Sequence, residues 1–290
     1  MNPTSKIHFK DKLESYRHNP ASFLWLLLTY AAAIISTGFL CFIILYILVK
    51  GVRYLTPDLF SLKYTSDNVS VIPALVNTVV ITALSLIIAV PLGIFSAIYL
   101  TEYARRGNRF VKLIRLTAET LSGIPSIIYG LFGTLFFVSF LKFGYSILAG
   151  ALTLSIMILP VILRTTEEAL LSIPDSYREG SFGLGAGKLR TVFRIVLPSA
   201  IPGILSGVIL AIGRIVGETA ALIYTAGTVA DIPPNVMSSG RSLAVHMYVL
   251  SSEGLHTNQA YATAVVLLIL VALINTLSAV VAKKITNNLA

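Results

Sequence analysis

Glu179-Gly180-Ser181-Phe182-Gly183-Leu184-Gly185-Ala186-Gly187-Lys188-Leu189-Arg190-Thr191-Val192-Phe193-Arg194-Ile195-Val196-Leu197-Pro198 is a glycine-rich, basic stretch set between two long apolar segments. Pro174, just upstream, suits a first helical turn, so a short helix is expected over 174–190. Glycine costs roughly 1 kcal/mol relative to alanine inside a helix. The helix therefore weakens from Gly180 onward, and the chain turns back toward Pro198. Phe182 to Leu189 superficially looks like a phosphate-binding loop. A Walker A sequence needs Gly five residues before its final Gly and Ser or Thr after the Lys. Phe182 and Leu189 occupy those places, so ATP is not bound by that route.

Outward from this stretch the chain is apolar: 56% of its 290 residues are hydrophobic and only 12% charged, against about a quarter charged in soluble domains. Crossing a bilayer takes roughly 20 apolar residues. Six segments qualify, at about 23–49, 73–100, 113–140, 145–164, 198–226 and 259–282. Six spans put both termini on one side. With the N-terminus inside, the inner segments hold fifteen Lys and Arg, from Lys6 to Lys284. The outer ones hold five: Lys50, Arg53, Lys63, Lys142 and Arg241. The positive-inside rule then sets N-in and C-in. The net charge of +9 is topological, and no aromatic-interleaved basic patch points to nucleic acid. The first span is too long for a signal-peptide core and lacks a clean small-x-small cleavage site. The lone Cys41 within it is read as packing.

Residues 1–22 read as a cytoplasmic tail, 23–49 as a first helix, and 72–284 as the transmembrane core. A cytoplasmic loop covers 165–197 and an outer loop 227–257. Leu243, Met247 and Tyr248 stand at helical spacing, so a short interfacial helix is expected near 242–250. Pro91, Gly93, Gly123, Pro125, Gly130 and Gly133 fall within spans. Membrane helices tolerate them because neighbours satisfy the freed backbone groups; they are read as kinks and close-packing sites, or as points that let helices rock.

Charges inside spans are the candidate site residues. Arg214 and Glu218 stand at i, i+4 in the fifth span, where an Arg costs about 2.5–3.5 kcal/mol and a partner one turn away offsets part of that. Gly203, Gly207 and Ala211 continue the stripe in steps of four, so this face is expected to meet another helix rather than lipid. The pair reads either as a packing device or as an anion path, since guanidinium offers a planar fork of donors to an oxyanion. Thr219 adds a hydroxyl. Arg115 and Glu119 repeat the spacing in the third span, where Arg115 can snorkel to the interface. Arg164 ends the fourth span and reads as structural or as an exit-side anion contact. His8, His18, His246 and His256 show no metal-ligand spacing, and no nucleophile–base constellation stands out.

Two resemblances sharpen this reading. The spacing Glu179-Gly180-Ser181-x3-Gly185-x9-Ile195-x-Leu197-Pro198 is similar to the EAA loop of ABC-importer permeases. Gly180 and Ser181 depart from its Ala-Ala but keep the small size. Leu121 to Gly133 (LSGIPSIIYGLFG), Arg164-Thr165-Thr166-Glu167 and Gly217-Glu218-Thr219-Ala220 resemble phosphate-importer permeases, most closely the PstA type. The resemblance implies an all-α core of the type I importer (MetI-like) class with one extra N-terminal helix. It implies ATPase coupling through Glu179, Gly180, Gly185, Ile195, Leu197 and Pro198. Arg214 and Glu218 become transport residues, with Thr219, Arg164 and Arg115 as further candidates along the path. The implied partners are a PstC-type sister permease, PstB-type ATPase subunits carrying ATP and Mg, and a PstS-type extracytoplasmic phosphate-binding protein; this chain itself binds no cofactor. The 227–257 loop caps the bundle or helps receive the binding protein.

Alternatives stay open at this point: the sister-permease role, or another oxyanion such as phosphonate, sulfate or molybdate. A stand-alone channel or secondary transporter predicts inverted repeats, which the sequence does not display, and leaves the loop spacing unexplained. An intramembrane enzyme lacks a catalytic constellation.

Overall fold

The computed structural model describes residues 20–105 and 107–289, so the expected tail lies outside the described residues as far as residue 19. The chain divides into two compact units, Met1–Lys50 and Gly51–Ala290. In the first, α1 (Pro20–Gly51) exposes Trp25, Ile34, Phe39 and Leu45 on all sides. A helix apolar all round is built for lipid or a buried core.

The second unit is helical throughout, with no strand among the described residues. Its long helices are α2 (Ile72–Ile98), α5 (Ile147–Leu171), α8 (Leu197–Val216) and α11 (Thr257–Leu289). Between them lie α3 (Arg109–Ser122), α4 (Ser126–Gly133), α6 (Asp175–Gly183), α7 (Lys188–Thr191), α9 (Ala220–Ile223) and α10 (Leu243–Glu253). Wide π-helical turns extend α2 (Tyr99–Tyr103) and α4 (Thr134–Phe140) and join α7 to α8 (Val192–Val196). Among the described residues five helices, α1 included, are long and apolar enough to cross a membrane, or six if the bent pair α3–α4 is one span.

α5 is the axis of this unit. Leu154, Met157, Ile158 and Ile162 are fully buried among Ile81 of α2, Ile215 of α8 and Leu222 of α9. Hydroxyls stitch it to α2: Ser85 Oγ donates to Ala151 O at 3.1 Å, and Ser155 Oγ to Ser85 O at 3.2 Å. The expected small-residue stripe meets α5. A β-carbon at Gly203 would collide with Ala169 and one at Gly207 with Thr165. Four residues up α8 thus match four residues down α5, an antiparallel register fixed by backbone approach.

Two spans expected to be continuous are broken. The third bends by 102° between α3 and α4. Pro125 has no N–H, and the residue before a proline avoids the α region, so α3 stops at Gly123. Tyr129 Oη then donates to Leu121 O at 2.8 Å, closing the corner. In the fifth span α8 stops at Val216, and Gly217 to Thr219 are non-helical before α9. The 227–257 loop does contain a helix, Leu243–Glu253, in place of 242–250. This loop also caps the start of α5: the N–H groups of Ile147 and Leu148 donate to Ser238 O (3.0 Å) and Val236 O (2.8 Å). Those donors have no partner within their own helix.

Candidate functional site

The break at Gly217-Glu218-Thr219 is the most unusual polar feature of the membrane-embedded part. Irregular backbone at membrane depth survives only where protein or a water-filled cavity surrounds it. Glu218 is 8% exposed, and its Oε1 accepts from the Ala221 N–H at 3.1 Å, capping α9. The chain turns between Arg214 and Glu218, so the expected one-turn ion pair does not form. Arg214, in the last turn of α8, lies near enough to Tyr129 to act on it electrostatically. Thr219 Oγ1 turns back toward Gly217 O at 3.5 Å. The corner packs against this break, for a β-carbon at Gly130 would lie 2.9 Å from Ala221 Cα. Two motifs nearly ninety residues apart thus build one locus.

A second cluster gathers where α3 meets α5, around a cavity of about 250 Å³ lined by Arg115, Glu119, Arg164, Glu167 and Glu168. Arg115 pairs with the buried Glu167 rather than with Glu119. Arg164 pairs with Glu168, Nε to Oε1, at 3.0 Å. Three carboxylates against two guanidiniums make this mouth no net attractor of anions. Arg164 nevertheless keeps over half its side chain exposed, which leaves donors for a passing oxyanion. Gly207 faces Thr165, and Arg214 lies seven residues further along α8, about 10 Å at 1.5 Å per residue. The two arginines therefore stand at different depths.

The third site is the 165–197 loop. α6 ends in a Schellman closure: Ala186 N donates to Ser181 O (3.1 Å) and Gly185 N to Phe182 O (2.9 Å). Gly185 carries the φ of +80° that this closure requires. Ser181 Oγ and Thr191 Oγ1 share a buried hydrogen bond of 2.8 Å, tying α6 to α7. That bond gives a physical reason for Ser where the family motif has Ala. Glu179, Gly180 and Gly185 are exposed, while Ile195, Leu197 and Pro198 are half-buried at the foot of α8. Tyr177, Phe182, Leu184 and Leu189 are also exposed, Leu184 at 92%. Sequence reasoning overlooked this apolar cap, along with Glu167, Tyr129 and Glu102. The apolar cap was legible as large hydrophobics inside a polar loop; the partners of Arg115 and Arg178 were not.

Such a bundle, with two broken spans and an apolar-capped helical loop, fits the transmembrane subunit of a binding-protein-dependent importer. Residues 89–288 match the family described as binding-protein-dependent transport system inner membrane component, and the chain belongs to it. The PstA phosphate transport system permease protein of Haemophilus influenzae is 36% identical over 205 residues, covering 70% of this chain and 72% of that one. The probable ABC transporter permease YqgI of Bacillus subtilis is 36% identical over 230 residues, covering 72% and 76%. Among solved structures, a bacterial alginate ABC transporter chain superposes with a TM-score of 0.68 at 17% identity, covering 93% of this chain and 98% of that one. The MetNI methionine transporter gives 0.57 at 23%, covering 74% and 94%. The fold is therefore the MetI-like importer permease fold.

Proposed function

We propose that this chain is a permease subunit of an ATP-driven importer carrying inorganic phosphate inward across the cytoplasmic membrane, N-in and C-in. The observation that carries the ATP-driven part is the exposed apolar cap of Tyr177, Phe182, Leu184 and Leu189 on α6–α7. Large apolar groups on a polar loop outside the spans mark an interaction surface, here for ATPase subunits that carry ATP and Mg. This chain performs no chemistry itself.

The relatives named for phosphate transport support the anion. So does the chemistry of Arg214, an always-charged planar donor beside a broken span. Phosphate passes from an extracytoplasmic binding protein to the Arg214–Glu218 locus, then past Arg164 toward the cytoplasm. A sister permease supplies the other half of the path. Arg115, held by Glu167, orders the exit mouth.

The test is reconstitution with PstC-, PstB- and PstS-type partners and ATP-dependent uptake of labelled phosphate, competed with sulfate and molybdate. Uptake that resists both competitors supports phosphate. Uptake suppressed by sulfate reassigns the anion, and uptake without ATP removes the importer reading.

A further inference from the structure

We propose that Arg178 and Glu102 form the clasp through which movement of the α6–α7 loop is passed to α2, making Arg178 a positioning residue for coupled transport. This rests on the reading of α6–α7 as the ATPase-docking element.

The geometry is unusually complete. Arg178 lies in α6, and its side chain is only 15% exposed; that of Glu102, in the π-helical turn ending α2, is 8% exposed. Nη2 donates to Glu102 Oε1 at 2.7 Å and Nε to the same oxygen at 3.1 Å. Nη2 also reaches Leu170 O at 3.0 Å, and Nη1 reaches Ile173 O at 2.9 Å and Asp175 Oδ1 at 3.2 Å. Leu170 sits at the C-terminus of α5, where carbonyls lack helical partners and a cation is favoured. One guanidinium thus joins the end of α2, the end of α5 and the start of the docking helix. A hydrogen-bonded, largely buried charge pair resists separation, because either partner left alone is an uncompensated charge.

The same turn grips the loop a second time. Lys188 Nζ, at the start of α7, lies 5.2 Å from the Tyr103 ring, within cation–π range. Adjacent residues Glu102 and Tyr103 hold the two limbs of a helix–turn–helix that Ser181 and Thr191 lock together. Beneath them Ala97 and Ile98 of α2 pack with Leu170, Val192 and Val196. A push on α6 therefore displaces α2 as one body with it. α2 is also the helix that Ser85 and Ser155 bind to α5.

The experiment uses the complete complex in vesicles, in a Cys41→Ser background, measuring phosphate carried per ATP hydrolysed. Glu102→Gln and Arg178→Lys each keep a polar contact but lose the forked charge pair. Both are expected to hydrolyse ATP while carrying about tenfold less phosphate per ATP, within the roughly 5–150-fold range of coupling between sites. The double variant Glu102→Cys with Arg178→Cys, bridged by a short bis-methanethiosulfonate that forms a disulfide with each thiol and releases sulfinate, across the adjoining cleft of about 950 Å³, should regain coupling. Reduction of a cleavable linker should remove it again, a reversal that a merely structural role does not give. Wild-type coupling in either single variant, or a bridged protein as uncoupled as the unbridged one, overturns the clasp. A wild-type complex that carries no phosphate, or does not hydrolyse ATP, overturns the docking reading instead.

Discussion

Gly185 shows how one residue joins backbone geometry to function. Its φ of +80° lies where an L side chain costs roughly 1–2 kcal/mol, and a β-carbon there meets nothing within 4 Å of this chain. If conformation governs, Gly185→Asn should retain more coupled uptake than Gly185→Ala, because Asn tolerates the left-handed region. If ATPase contact alone governs, the smaller Ala should win. Comparing uptake and ATPase co-purification for both variants decides. At the membrane break, Glu218→Gln keeps an oxygen for the Ala221 N–H and should assemble normally. Glu218→Ala loses the cap, at about 0.5–2 kcal/mol, and should lower thermal stability. Arg214→Gln should abolish uptake with assembly intact, and Lys should rescue poorly for want of the planar fork. Normal phosphate uptake by the double variant Arg214→Gln with Glu218→Gln would remove this pair from the path. These residues were legible in the sequence as costly charges in a span. Their geometry was not, because i, i+4 spacing means proximity only while the helix continues, and here it stops between them.

Among the elements, α10 carries a pH dependence. His246 is fully buried in the loop between α9 and α11. Burial first, then the nearby Arg241 charge, push its pKa down from 6.5 to about 3, and a backbone contact with Val69 only partly opposes this. Arg241 is itself 4% exposed and lies 4.7 Å from the Tyr64 ring. Because the folded pKa is depressed, the unfolded chain binds the proton first. This contribution is therefore fully present above about pH 6.5 and is lost as pH falls from there toward 3. Between pH 6.5 and 5 the loss is about 1.6 kcal/mol. Thermal unfolding should fall more steeply across that range in the parent than in His246→Phe; equal slopes would exclude His246 as the cause. The α5–α8 seam makes a different forecast. Gly207→Ala collides with Thr165 and should cost about 1–3 kcal/mol as overpacking does, with Thr165→Gly restoring part of the loss in detergent melts. The positions of the spans were readable because hydrophobicity is summed over about twenty residues. The corner at Gly123–Pro125 was not, since the same averaging treats Gly and Pro as tolerated kinks. The bend is held by Tyr129 on Leu121, a bond that exists only once the chain has turned, and by Gly130 on Ala221, a contact no local window contains.

For the whole molecule, orientation is the first matter to test. In a Cys41→Ser protein, cysteines at Ser66 and Ser252 should react with an impermeant thiol reagent from outside, and one at Thr286 only after the membrane is opened. The reverse pattern would invert every placement proposed for the docking loop and the binding-protein face. The paired seating of Gly203 on Ala169 and Gly207 on Thr165 then limits how the bundle can move. A tooth meets a notch once per helical turn, so α8 cannot creep along α5 by a fraction of a turn without driving a side chain into backbone. Axial sliding is restricted to whole steps of about 6 Å, four residues of helix rise, each unseating both teeth together. Tilting about the seam needs no such disengagement. The seam is therefore shaped as an axle rather than a slide, and a path that opens and closes beside it is expected to do so by pivoting about the line where these two helices touch.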